Sequence, residues 1–192
     1  MASEAASLGL EVNWLKTKVQ ALGSRKDEPS TVTVLGNEVA VVDEFVYLGS
    51  LLHSTTQSSP DVARRNAITR AAMQNLDNQI WKSRISLHTK LKLYNTCILP
   101  IFLYGSECCA VTKNDVRKID ALDQWCLRML LGINWHQHVR NDEVRRLTKQ
   151  PHLSAIVQSR RLSLFGHIAR MPDETDAKQI LTASPQETGR DH

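Results

Sequence analysis

The stretch TKNDVRKIDALDQWCLRMLLG, which runs from Thr112 to Gly132, carries the clearest structural signal in the chain. Its apolar side chains recur every three or four residues, at Val116, Ile119, Leu122, Cys126 and Leu130, and this spacing predicts one face of an α-helix. Thr112 and Asp115 have the spacing of a capping box, and Gly132 suits the left-handed residue that ends a helix. The stretch therefore predicts a long helix with a defined start and end.

Two further helices are predicted upstream of this stretch. Pro60 and Asp61 suit a first helical turn, because proline needs no N–H partner there and aspartate complements the helix dipole. The apolar face of this helix is predicted at Ile68, Ala72, Leu76 and Ile80. Ser86 can cap the next helix, which Pro100 interrupts and whose apolar stripe is Leu87, Leu91, Tyr94 and Ile98. The apolar run 101–104, which ends at Gly105, is expected to be buried.

The chain after Gly132 predicts a pair of helices. Asn141 begins a short helix that must end before Pro151, because the residue before a proline disfavours helical geometry. The second helix has apolar positions at Leu153, Ile156, Val157, Leu164 and Ile168, and it ends at Met171-Pro172. Residues 173–192 are expected to be a disordered tail.

The first fifty residues have the composition of strands and turns. A short strand is expected at 18–22 and a polar loop at 24–30. The β-branched runs 31–35 and 38–42 flank Gly36-Asn37, a dipeptide that favours a hairpin because both residues tolerate a positive φ. Phe45, Tyr47 and Gly49 alternate along a further strand, and a polar linker follows at 53–59. The predicted fold class is α+β, predominantly α-helical, with a small antiparallel β-hairpin element before a helical bundle.

Positive charge is concentrated in the middle of the 192-residue chain. Residues 60–171 hold eighteen Lys/Arg and eight Asp/Glu, a net charge of +10, whereas the segments on either side each carry −3. A basic block of this kind indicates a surface that attracts a polyanion, although many helical domains are as basic without binding one.

Composition also limits the function classes that need to be considered. No apolar run approaches the roughly 20 residues that cross a bilayer, and no secretory signal is recognisable, so no membrane partner is expected. Reduced thiols are expected, with Cys108 and Cys109 buried, and the protein is expected to be intracellular, either nuclear or cytoplasmic. Cys126, His136 and His138 do not have the spacing of a common zinc site, so no metal site is predicted.

Five motifs in a fixed order resemble the end of the palm and the downstream region of reverse transcriptases from non-LTR (LINE-type) retrotransposons. They are NWLKTK (13–18), DEFVYLGS (43–50), YGSE (104–107), DVRKID with QWCLRMLLGI (115–120 and 124–133), and RRL with GHIARMP (160–162 and 166–172). The resemblance covers about residues 7–172. It implies a palm remnant at 1–52, a thumb-like bundle at 60–132 and a downstream helical pair at 133–172, followed by the disordered tail at 173–192.

The family holds two Mg²⁺ ions with paired aspartates, and this sequence contains no Asp-Asp pair. We therefore expect the chain to begin after the aspartate-bearing palm motifs, with no endonuclease domain before it and no Cys/His knuckle after it. As an isolated chain it should not copy nucleic acid. No cofactor is expected here, Mg²⁺ being required only by an intact polymerase. A chain that carries the missing palm is a further possible partner.

The resemblance also assigns candidate site residues. Lys16 matches the palm lysine that protonates the departing pyrophosphate, and Lys18 lies in the same motif. Phe45, Tyr47, Leu48 and Gly49 match the primer grip, while Arg64, Arg65, Arg70, Lys82 and Arg84 match the first thumb helix, which faces the RNA/DNA template-primer duplex. Such cations would neutralise phosphates weakly and non-specifically. In the alternative interpretation, the aromatic residues pack on the helices and the cations are ordinary surface charges.

Residues 141–170 are also compatible with a helix-turn-helix, in which Arg160 and Arg161 lie in the middle of the second helix, near phosphates rather than base edges. A domesticated DNA-binding module is therefore an alternative function. A helical interaction domain with no enzymatic role is another.

Overall fold

The computed structural model describes residues 9–23, 30–134 and 136–183, and it confirms the predicted α+β, predominantly α-helical class. Within these ranges, two β-hairpins precede seven α-helices. The strands are β1 (Thr31–Val34), β2 (Asn37–Ala40), β3 (Glu44–Tyr47) and β4 (Ser50–His53). The helices are α1 (Ser59–Asn75), α2 (Leu87–Leu93), α3 (Leu99–Leu103), α4 (Lys113–Leu131), α5 (Asn141–Thr148), α6 (Leu153–Ala169) and α7 (Asp176–Thr182). None of these helices is both long enough and apolar enough to cross a membrane.

The first hairpin forms where the sequence predicts it, but its turn lies one residue earlier. Val34 of β1 pairs with Asn37 of β2, so Leu35 and Gly36 form the turn. Their φ angles are 50° and 78°, as a two-residue type I′ turn requires. The Asn37 side chain donates a hydrogen bond to the Leu35 carbonyl oxygen at 3.2 Å, so Asn37 stabilises the turn from a position within the strand.

A second hairpin replaces the single strand expected up to Gly49. Tyr47 of β3 pairs with Ser50 of β4, and Leu48 and Gly49 form the turn, with φ angles of 47° and 85°. The alternation that begins at Phe45 therefore stops at Tyr47. Strand β4 was not predicted, because its sequence SLLH does not alternate between apolar and polar residues.

The segment before the hairpins contributes one bridge rather than a full strand. Val19 pairs in parallel with Val41. The Gln20 side chain donates through Nε2 to the carbonyl oxygens of Asp43 and Leu52, at 2.9 and 3.0 Å. These contacts tie the start of the described chain to both hairpins. Residues 24–29 of the predicted loop lie outside the described ranges.

The buried face of α1 is rotated from the predicted one. Pro60 and Asp61 do begin the helix, but Ile68, which was expected to be buried, is 42% exposed. The buried positions of α1 are Asp61, Val62, Arg65, Thr69 and Met73. Since three of these five are polar, apolar periodicity could not locate this face.

A buried ion pair explains why α1 directs polar side chains inward. Arg65 Nε donates to Asp61 Oδ2 at 2.6 Å, and both side chains are almost fully buried. The remaining guanidinium nitrogens donate to Ser50 Oγ and to the carbonyl oxygens of Phe102 and Tyr104. The pair thus contacts strand β4 and the end of helix α3 at the same time.

The Asp61 carboxylate has two further partners. Its Oδ1 atom accepts a hydrogen bond from the Leu51 backbone N–H at 2.8 Å. Its Oδ2 atom also accepts one from the Cys109 thiol at 3.3 Å. Each oxygen of this buried carboxylate is therefore hydrogen-bonded, which offsets the cost of removing it from water.

Helix α4 forms as predicted and contacts α1, α2, α5 and α6. Both hydrogen bonds of the Thr112–Asp115 capping box are present, and Gly132 ends the helix with a φ of 65°. Of the predicted apolar face, only Val116 is exposed; Ile119, Leu122, Cys126 and Leu130 are buried. The helix therefore supplies the surface against which the rest of the helical part packs.

One hydrophobic core runs through the helical part. It includes large side chains from the segments before α4, among them Met73, Trp81, Tyr94 and Phe102. It continues into the downstream pair through Val144, Leu153 and Val157. The core is thus continuous across the expected boundary at residues 132–133.

A second buried polar cluster holds α5 against α4. The Tyr94 hydroxyl donates to Asp123 Oδ1 at 2.6 Å, and Arg145 Nη1 lies 2.6 Å from Asp123 Oδ2. Burial, followed by the charge of Asp123, raises the pKa of Tyr94 far above its ordinary value. The phenol therefore remains a neutral hydrogen-bond donor.

The end of the described chain departs from the prediction. Helix α6 ends at Ala169, close to the predicted stop, but α7 occupies part of the segment expected to be disordered. Helix α7 packs on α6, and Lys178 Nζ donates to the Ala169 carbonyl oxygen. A helix of seven residues is too short for its apolar periodicity to be recognised. Residues 184–192 lie outside the described ranges.

Replacing Arg65 by methionine should lower the free energy of unfolding by about 3–5 kcal/mol, because the buried Asp61 carboxylate loses its counter-charge. Urea unfolding followed by circular dichroism measures this loss. Arg64→Met, one residue away and partly exposed, is the control and should cost at most about 1 kcal/mol. Equal losses for the two variants would contradict the role assigned to the buried pair.

Asp115 should make stability depend on pH in the acidic range. Burial alone raises the pKa of this carboxyl group, but hydrogen bonds from Thr112 and Ser59 outweigh burial and lower the pKa below its ordinary value. The ionised form therefore adds stability that is present above the unfolded value of about 3.9 and is lost as pH falls through the folded value.

Asp115→Asn should accordingly cost about 1 kcal/mol of unfolding free energy at pH 6. The cost should shrink at pH 2.5, because this pH lies below the unfolded pKa of about 3.9 and the stabilisation from the ionised carboxyl group is then partly lost. Urea unfolding at the two pH values measures the difference, with Asp142→Asn in the first turn of α5 as the control. A cost that does not change with pH would show that the charge of Asp115 is not what stabilises the cap.

Candidate nucleic-acid interface

The turn of the second hairpin lies against an exposed tyrosine. A Cβ atom at Gly49 would meet the Tyr104 ring at 3.1 Å, and the φ angle of Gly49 is +85°. Close approach and backbone geometry therefore both favour glycine at this position. Tyr104 is 62% exposed and Leu48 is 72% exposed. The turn region thus presents an aromatic ring and an aliphatic side chain to solvent.

Two of the predicted arginines, which belong to different helices, lie beside the Leu48-Gly49 turn and Tyr104. Arg64 of α1 donates through Nη1 to the Gly49 carbonyl oxygen at 2.9 Å. Arg160 of α6 donates through Nη1 to the Leu103 carbonyl oxygen at 3.2 Å, next to Tyr104. Both acceptors are neutral, so these contacts orient the two guanidinium groups without cancelling their charge. We call this set the Tyr104 surface: Leu48, Gly49, Arg64, Tyr104 and Arg160.

Sequence reasoning missed Tyr104, which was expected to be buried with the rest of 101–104. Helix α3 ends at Leu103, and Gly105 adopts a φ of 64°. The left-handed glycine redirects the chain and leaves the tyrosine outside the core. The Tyr-Gly pair was the available signal, because a glycine just after a helix often marks such a change of direction.

Arg65 does not belong to this surface, contrary to the expectation. It is 3% exposed, and the buried contacts described above occupy its guanidinium group. Successive residues of an α-helix point about 100° apart. Arg64 is therefore near the surface while Arg65 is inside, and Arg65 is not available to a phosphate.

The other cations that the resemblance assigns to the thumb make different contacts. The Arg70 guanidinium lies 4.9 Å from the centre of the Trp125 ring, and Lys82 Nζ lies 2.6 Å from Asp77 Oδ2. Arg84 is exposed. The expectation that Lys82 and Arg84 lie on the first helix is wrong, because α1 ends at Asn75 and a single π-helical turn, Asp77–Trp81, follows it.

The candidates that the resemblance assigns to the palm lie in the β part. Tyr47 is 60% exposed, whereas Phe45 is half-buried. Lys16 and Lys18 are exposed. Lys16 belongs to a turn, and its backbone N–H donates to Asn13 Oδ1 at 3.1 Å. Its ammonium group is thus at the surface of an irregular segment.

Arg161 lies in a mixed environment. It lines a groove together with Glu107, Leu162 and Phe165. A nearby carboxylate and apolar side chains make this position less suited to a phosphate than that of Arg160. The two adjacent arginines therefore contribute differently to the electrostatics of α6.

The way in which α6 begins argues against the helix-turn-helix alternative. Ser154 donates to the Asp120 carboxylate of α4 through both its backbone N–H, at 3.1 Å, and its hydroxyl, at 2.8 Å. Leu153 is 1% exposed. A recognition helix needs the residues at its N-terminal end free to meet base edges, whereas here that end is docked on α4.

The cysteines lie in two kinds of environment. Cys97 and Cys108 are exposed, while Cys109 and Cys126 are buried, so the expected burial is confirmed for Cys109 and wrong for Cys108. Burial, followed by the hydrogen bond to Asp61, raises the pKa of Cys109 to about 11. Burial raises the pKa of Cys126 to about 12. In the described ranges, no group of three or more His, Cys, Asp or Glu side chains is arranged to hold a metal ion.

Thiol labelling should divide the cysteines into two pairs. Iodoacetamide at pH 7.5 should modify Cys97 and Cys108 in the native protein and spare Cys109 and Cys126, because the thiolate is the reactive form and burial suppresses it. Peptide mass spectrometry identifies the modified positions, and the same reaction in 8 M urea, which should label all four, is the control. Rapid native labelling of Cys109 would show that it is not enclosed.

The chain is similar over 90% of its length to a Caenorhabditis elegans protein described as "Putative uncharacterized transposon-derived protein", with 28% identity over 185 residues. The match covers 64% of that protein, so the chain spans less than two thirds of its relative's length. No family model matches the chain. No solved structure matches it either. The similarity supports a transposon-related origin for the chain.

Proposed function

We propose that the chain is a segment of a reverse transcriptase from a LINE-type retrotransposon and that it binds a nucleic-acid duplex without sequence preference. The observation that carries the proposal is the convergence of the Leu48-Gly49 turn, Arg64 and Arg160 around Tyr104. In the family that the sequence resembles, the primer-grip hairpin and the thumb both meet the template-primer duplex. The transposon-derived relative supports an origin in a mobile element.

The chemistry of the Tyr104 surface suits a sugar–phosphate backbone. Arg64 and Arg160 are held by carbonyl oxygens, so their charges can neutralise phosphates and release counterions. The Tyr104 ring and the Leu48 side chain can pack against sugars. Contacts of this kind position a duplex but carry no sequence information, so binding should be non-specific.

Polymerisation is outside the capacity that we propose for the isolated chain. Two-metal catalysis needs carboxylates that hold both ions, and the sequence contains no Asp-Asp pair. A second chain carrying the rest of the palm would supply those carboxylates. In such an assembly Lys16 would be the candidate proton donor to pyrophosphate.

A salt titration tests duplex binding. The affinity for a fluorescent RNA/DNA hybrid should fall as salt rises, with a log–log slope of about −2 or steeper, because at least two phosphates are neutralised. Fluorescence anisotropy at several salt concentrations gives the slope. An affinity that does not change with salt would refute the phosphate contacts, and enrichment of one sequence from a random pool would favour a DNA-reading module instead.

Arg160→Gln should reduce the magnitude of that slope by about 1, because one phosphate contact is lost. The matched control is Arg146→Gln, since Arg146 is exposed but paired with Glu143 at 2.7 Å and should leave the slope unchanged. Equal effects of the two substitutions would mean that total charge, rather than the Tyr104 surface, determines affinity.

A further inference from the structure

A basic groove lies between the Asp77–Trp81 turn and the C-terminal end of α4. It has a volume of about 700 Å³, which is in the range of sites that hold one small ligand. A nucleic-acid duplex is much too wide to enter it. We call it the Trp125 groove; the lining residues used below are Asp77, Lys82, Lys90, Trp125 and Arg128.

The charge of the Trp125 groove favours an anion. Lys82 is neutralised by the Asp77 carboxylate, at 2.6 Å. Lys90 and Arg128 have no such compensation in their contacts: Lys90 Nζ donates to the Trp81 carbonyl oxygen, and Arg128 Nη2 donates to the Val139 carbonyl oxygen and to Asn141 Oδ1. These neutral acceptors fix the two side chains and leave a net charge of +2 on the charged groups lining the groove.

The groove also has an aromatic wall. Trp125 is half-buried and lines it. Arg70 does not line the groove, yet its guanidinium lies 4.9 Å from the Trp125 ring centre. An arginine over the face of an indole restrains the ring and adds a positive charge next to it. A flat ring that carries a phosphate fits these features better than a simple anion does.

We propose that the Trp125 groove binds one nucleotide of an unpaired strand, with the base against Trp125 and the phosphate between Lys90 and Arg128. The ligand class rests on the function proposed above, while the site is separate from the Tyr104 surface. Together the two sites would hold a duplex and a single-stranded extension of it. Base stacking tolerates any sequence, because every base has an aromatic face.

Anisotropy titrations of labelled oligo-dT and of a duplex of the same length test the proposal. Trp125→Leu should weaken single-strand binding by at least about fivefold and change duplex binding by less than about twofold. Trp125→Phe should retain most of the single-strand affinity, because it keeps an aromatic face. Thermal unfolding of each variant establishes that it is folded.

The lysines of α2 provide a matched pair for the phosphate. Lys90 lines the Trp125 groove, whereas Lys92, on the same helix, lines a different groove with His88 and Lys149. Lys90→Gln should weaken oligo-dT binding more than Lys92→Gln, although both remove one charge. Equal losses would show a general charge effect and would overturn the assignment of the groove.

A second measurement does not depend on any variant that weakens folding. Addition of dTMP to ¹⁵N-labelled wild-type protein should shift the Trp125 indole Nε1–H resonance, which is assigned as the one missing from Trp125→Phe. No shift at saturating dTMP, or no effect of Trp125→Leu on oligo-dT binding, would refute the proposal. If the wild-type protein binds oligo-dT but not the duplex, that result would instead count against the Tyr104 surface. Failures of the two sites can therefore be distinguished.

Discussion

The buried Asp61–Arg65 ion pair is the contact on which the arrangement of the candidate interface depends. Its two side chains bind strand β4, the carbonyl oxygens at the end of α3 and the Cys109 thiol. Because these groups come from separate parts of the chain, the pair fixes the second hairpin relative to the helices. The position of the Leu48-Gly49 turn against Tyr104 follows from that constraint. A buried charge that is fully hydrogen-bonded can thus define a geometry that apolar packing alone would leave loose.

Several cations among the described residues form two groups according to what they contact. Arg65, Arg145 and Arg146 pair with carboxylates, which neutralise their charges. Arg64, Arg160, Lys90 and Arg128 instead donate to neutral oxygens, mostly backbone carbonyls. A carbonyl oxygen holds a cation in one orientation without neutralising it. The second group is therefore prepared to meet an anion with little further ordering, which lowers the entropic cost of binding.

Much of the fold could be predicted from local signals, and the rest depended on contacts that a sequence does not display. The capping box and glycine stop of α4 are encoded within a few residues, so both ends of that helix were found. The inward face of α1 was missed because three of its five buried positions are polar, and because Arg65 is buried by partners distant in sequence. The same reason removed Arg65 from the candidate site, although its neighbour Arg64 remained. Tyr104 was overlooked because its exposure results from a backbone reversal at Gly105, which hydrophobicity alone cannot report.

The polar inner face of α1 has a consequence for the order in which the chain folds. Among the partners of Arg65, Ser50 lies 15 residues before it, whereas Phe102 and Tyr104 lie 37 and 39 residues after it. The loops between them have to close before the guanidinium can leave water. Apolar contacts within the helical part can form earlier, without that requirement. During synthesis, α1 remains unable to bury its inner face until Tyr104 has emerged from the ribosome. Closure of the end of α3 over Arg65 is accordingly expected to follow the docking of the second hairpin, and in the reverse process the α3 contact would be the first of the two to admit water.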